Sequence, residues 1–87
     1  MTEDRETRLK RLRMRSMRRG IKEMDIILSR YADDRLAALD AARLDLYDAL
    51  LSENDQDLYQ WVTEQVAAPA RFTDIVADIS GTALTFR

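Results

Sequence analysis

Apolar residues recur along this chain at steps of three and four. Leu9, Leu12 and Met17 make a thin stripe within an arginine-rich opening. Ile21, Met24, Leu28 and Tyr31 follow, and Ile27 widens their face. Leu44, Tyr47 and Leu51 form a third stripe with Leu50 beside it. Leu58, Trp61, Val62 and Val66 form a fourth, and Phe72, Ile75, Val76 and Ile79 a fifth. Such steps gather side chains on one face of an α-helix, whereas a strand needs strict alternation. The pattern predicts an all-α chain of about five helices: Asp4 to Arg19, Ile21 to Leu36, Ala41 to Ser52, Gln56 to Val66, and a short one from Phe72 to Ile79.

The punctuation fits that reading. Gly20 reads as a helix C-cap, where a left-handed turn is cheapest for glycine. Asp40 and Asp55 read as N-caps, whose side-chain oxygens accept amides of the first turn. Pro69 restricts the residue before it, so "AAPA" separates the fourth helix from the fifth. Gly81 reads as the stop of the last helix, leaving residues 81–87 as a flexible tail. The connections are short, so neighbouring helices should pack nearly antiparallel in one bundle over residues 1–80. Within it Trp61 reads as a core anchor.

Composition narrows the chemistry. The 87 residues fit one domain, and alanine, leucine and arginine suit helices. There is no cysteine and no histidine, which excludes disulfides and any zinc site built on thiolate or imidazole. It also removes the commonest general base and the strongest nucleophile. Two glycines cannot supply a phosphate-binding loop. Acid pairs such as Asp33–Asp34 and Asp55–Asp57 read as solvated turns and caps. No apolar run approaches the roughly 20 residues that span a bilayer. The opening, with Glu3, Asp4 and Glu6, lacks the apolar segment of a secretory signal, and transit peptides are poor in acids. A cytoplasmic bacterial protein is expected.

The net charge of −2 hides a dipole. Residues 1–22 hold nine Lys/Arg against three Asp/Glu, and residues 23–87 hold five against thirteen. The basic cluster, Arg8 to Lys22, could bind a nucleic-acid backbone by charge. A sequence pI near 5.1 opposes that, since dedicated binders are basic as domains. The apolar stripe is too thin for membrane insertion. The glycine corner admits two readings. Arg19 and Glu23, at either side of the bend, could form a surface ion pair at a capped turn. Alternatively, the missing side chain of Gly20 lets a partner's backbone approach between a donor fork and a carboxylate.

Arg19-Gly20-Ile21-Lys22-Glu23 resembles the RGxxE motif of the succinate dehydrogenase assembly factor family, small flavinylation factors. "RSMRRGIKEMDIILSRYAD" is similar to the family's first two helices, and "LLSENDQDLYQW" to its second signature, an acidic turn, Asp-Leu and a tryptophan. The resemblance covers about residues 8–80, with Met17 standing where many relatives have tryptophan. It implies a five-helix bundle that binds the flavoprotein subunit of succinate dehydrogenase, and in some bacteria of fumarate reductase. The factor would promote covalent FAD attachment to a histidine of that partner, holding no FAD stably itself and performing no catalysis. It would bind no nucleic acid and would not insert stably into a membrane. Arg19, Gly20 and Glu23 would lie at the contact, with Arg15, Arg18 and Asp25 nearby. Two other readings stand beside it: a basic-helix nucleic-acid binder, and a small enzyme using carboxylates.

Overall fold

The structure, a computed structural model, describes residues 3–85, with side chains described as far as 82. Five α-helices carry the fold: α1 (Arg5–Arg15), α2 (Lys22–Arg35), α3 (Ala41–Leu51), α4 (Asp55–Val62) and α5 (Thr73–Thr85). Short 3-10 turns at Leu36–Ala38 and Ala70–Phe72 complete the order. Among the described residues there is no strand. The all-α expectation holds.

The stripes become the core. Leu12 of α1, Met24, Leu28 and Tyr31 of α2, Leu44, Tyr47 and Leu50 of α3, Leu58 of α4, and Ile75 and Ile79 of α5 are fully buried. Helix α2 packs against α1, α4 and α5, and α3 reaches α5. Trp61 is half-buried and stacks on Phe72 with ring centroids 6.1 Å apart. Two stripe members fall outside. Met17 lies beyond the end of α1 and is 48% exposed, as is Val66 beyond the end of α4.

The helix ends differ from the pattern for local reasons. Asp4 caps α1 by accepting the Thr7 amide at 2.7 Å. Asp40 caps α3 through the Arg43 amide at 2.9 Å, as its position predicts. Helix α1 stops at Arg15, well before Gly20. Its C-cap is Ser16, whose hydroxyl donates to Leu12 O at 2.8 Å and lies 2.6 Å from the Tyr47 hydroxyl. Helix α4 is capped by Asn54, not Asp55, through the Gln56 amide at 2.8 Å. It closes when Glu64 turns left-handed at φ 64° and the Gln65 amide returns to Gln60 O, which carries Val66 outward.

Gly81 does not stop α5, which passes through it to Thr85. Beyond it the Thr82 side chain is buried and donates to Asp78 O at 3.1 Å. Of the tail expected over 81–87, residues 81–85 are helical, and Phe86 and Arg87 lie outside the described residues.

Candidate functional site

The corner between α1 and α2 is a loop, Ser16 to Ile21, laid against the start of α4. Its left-handed residue is Arg18, at φ 56°, and neither glycine has positive φ. The Arg18 amide donates to Asp25 Oδ1 at 3.0 Å. The Ser29 hydroxyl reaches the same oxygen at 3.3 Å. Asp25, in the first turn of α2, therefore ties the loop to that helix.

Arg19 points inward. Its Nε donates to Asp55 Oδ1 at 2.8 Å, Nη1 to Arg15 O at 3.0 Å and Nη2 to Leu51 O at 3.0 Å. The Arg19 and Asp55 side chains are 12% and 16% exposed. The second oxygen of Asp55 accepts the Gly20 amide at 2.7 Å. One carboxylate thus holds two consecutive residues of the loop. With Asn54 occupying the cap, Asp55 is free to do this. The expected pairing of Arg19 with Glu23 does not form. The turn at Arg18 sets Arg19 against the α3–α4 connection, whereas Glu23 lies exposed on α2.

The six site candidates thus divide by orientation. Arg18 and Glu23 have exposed side chains, and Gly20 is exposed. Arg19 and Asp25 are turned into the protein. Arg15 is half-buried, paired with Asp48 and donating to Ser52 Oγ at 3.0 Å. Sequence reasoning missed Asp55 as an organiser of the corner. A signal was present: "ENDQ" offers two adjacent cap residues, and only one can cap.

Three other arginines of α1 meet carboxylates too, while Arg5 donates to the carbonyls of Ala37 and Leu39 at 2.8 Å. Arg8 pairs with Asp45, and Arg11 with Asp48 at 2.9 Å and Glu3 at 2.7 Å. Arg13 lies 3.7 Å from Asp33. The Arg11 hydrogen bond holds the Asp48 carboxyl below its ordinary range, and bonds to Asp48 and Glu3 raise Arg11 above its own. Lys10, Arg18 and Lys22 remain along this stretch as exposed cations with no acid partner among the described residues. The nucleic-acid reading therefore loses the open arginine row on which it depended. Among the described residues no three His, Cys, Asp or Glu are grouped to hold a metal, and no helix is long and apolar enough to cross a membrane.

Residues 10–83 match the family described as "Flavinator of succinate dehydrogenase". The chain belongs to this family. A relative from Meyerozyma guilliermondii is 48% identical over 62 residues, 71% of this chain and 46% of its own length. One from Mycosarcoma maydis is 41% identical over 71 residues, 82% of this chain and 30% of its own. One from Aspergillus terreus is 45% identical over 62 residues, 71% of this chain and 21% of its own. Each is named "Succinate dehydrogenase assembly factor 2, mitochondrial". The flavinator match runs from the middle of α1 into the last turn of α5, and so takes in the whole corner. The chain spans less than half the length of these relatives. Their mitochondrial naming overturns the expectation of a bacterial cytoplasmic protein.

Proposed function

We propose that the chain is an assembly factor that docks on the flavoprotein subunit of succinate dehydrogenase and promotes covalent attachment of FAD to a histidine of that subunit. The family match over residues 10–83 carries this reading. The chain has no histidine of its own to accept the flavin and no cysteine to act as nucleophile. Its part is to bind one arrangement of the partner better than others, which shifts the partner's population toward it. Bond formation belongs to the flavoprotein, and FAD is not held stably by the factor. The docking corner is the exposed edge of Arg18, Gly20 and Glu23, with Arg15, Arg19 and Asp25 shaping it from beneath.

The test is co-expression of the flavoprotein subunit with and without this chain, read by in-gel flavin fluorescence after denaturation. Covalent flavin should rise strongly when the chain is present. Equal fluorescence in both samples overturns the reading. Gly20→Arg should abolish the gain while far-UV circular dichroism stays helical, and full activity in that variant removes the corner from the interface.

A further inference from the structure

We propose that Asp55 is the positioning residue of the docking corner, and that Arg19 acts inside the protein as its partner and not on the flavoprotein. The inference rests on the docking reading above and names which residues build the corner and which meet the partner.

Three observations carry it. First, the donors of Arg19 are directed to Asp55, Arg15 O and Leu51 O, so its fork is occupied on the inner side of the loop. Second, Asp55 spends its other oxygen on the Gly20 amide at 2.7 Å. That bond fixes the backbone immediately before α2, so the direction in which α2 presents Glu23 follows from it. Third, a Cβ built on Gly20 would stand 3.1 Å from that oxygen. The glycine is therefore matched to the carboxylate as well as exposed to a partner. Asp55 and Arg19 lie 36 positions apart, so the clamp spans the two stretches of sequence. An arginine fork gripping a carboxylate is specific in geometry, and lysine cannot reproduce it.

The experiment compares the wild-type chain with Asp55→Asn, Arg19→Lys, their double variant, and Glu23→Gln. Each is measured for helicity, for hydrogen exchange at the Gly20 amide, and for affinity to the purified flavoprotein subunit before flavinylation. Asp55→Asn should keep its helicity, exchange the Gly20 amide faster, and bind roughly tenfold or more weakly, the scale of a lost charge-assisted hydrogen bond. Arg19→Lys should lose a similar factor and carries the same test should Asp55→Asn lose helicity. The double variant should bind no more weakly than the worse single variant, because both remove one clamp. A double variant that loses the product of the two factors overturns the inference, since Arg19 would then touch the partner itself. Wild-type affinity or wild-type Gly20 exchange in Asp55→Asn also overturns it, while Glu23→Gln still weakens binding. Undiminished binding by both Glu23→Gln and Gly20→Arg instead overturns the docking reading, and the inference falls with it.

Discussion

A methyl group added at Gly20 would meet Asp55 Oδ2 at 3.1 Å, whereas at Gly81 it would meet nothing within 4 Å. Neither glycine has positive φ, so backbone strain does not decide either case. Gly81 lies inside α5, where glycine weakens a helix relative to alanine. Gly81→Ala should therefore stabilise the protein by about 0.5–1 kcal/mol, seen as a thermal midpoint a few degrees higher. Gly20→Ala should destabilise by about 1 kcal/mol, as mild overpacking does, because Arg19 restrains the carboxylate it presses on. In an Asp55→Ala background that penalty should vanish, and a persistent penalty would point to a cause other than Asp55. The sequence marked both glycines as breaks and neither is the left-handed residue. Arg18 holds that conformation, with its amide bound to Asp25 seven residues on. Residue type alone cannot signal such a tertiary override.

Between elements, α1 and α3 face each other through arginine and aspartate. Arg8, Arg11 and Arg15 follow one helical face, and Asp45 and Asp48 follow the other. Exposed pairs of this kind contribute little individually, at most about 1 kcal/mol each. Asp48 is shared by Arg11 and Arg15, and its carboxyl is held below the ordinary range chiefly by the Arg11 hydrogen bond. A carboxyl depressed by folding stabilises fully above its unfolded value, near 3.9, and loses that contribution as pH falls through its folded value. Asp48→Asn should thus be less stable than wild type at pH 7. The gap should narrow as urea unfolding is repeated at progressively more acid pH below about 4. A gap that stays constant down that range would show that the pairing contributes nothing through ionisation. The helices themselves were legible from their stripes, because each buried face repeats at helical spacing. Their ends were less so. Ser16 terminates α1 with help from Tyr47, 31 residues away, a hydroxyl that burial has pushed up to about 12. Asn54 and Asp55 offered the same capping chemistry one residue apart.

Across the whole molecule, the core and the proposed docking corner occupy different parts of one fold. Helix α2 joins them: Met24, Leu28 and Tyr31 face inward and Glu23 faces out. The Tyr31 hydroxyl also donates to Asp78 of α5 at 2.7 Å, and burial raises its pKa well above the ordinary tyrosine value. The fold class was readable because apolar spacing reports burial directly. The clamp that shapes the corner was not readable, since Asp55 joins it only once α4 is docked. This division makes two kinds of loss separable. Ile79 is fully buried in α5, and Ile79→Ala should cost about 2–5 kcal/mol through the cavity it leaves. That is a large part of the roughly 5–15 kcal/mol that holds a domain together. Flavinylation of the partner should then fall only as the folded fraction falls, and should recover when the assay is cooled or the factor is supplied in excess. Glu23→Gln should leave the thermal midpoint within a degree or so, as exposed substitutions generally do, and should depress flavinylation at every temperature. Excess factor should restore it only at concentrations raised in proportion to the weakened affinity. If Glu23→Gln instead lowers the midpoint as far as Ile79→Ala does, Glu23 belongs to the fold and not to the docking edge.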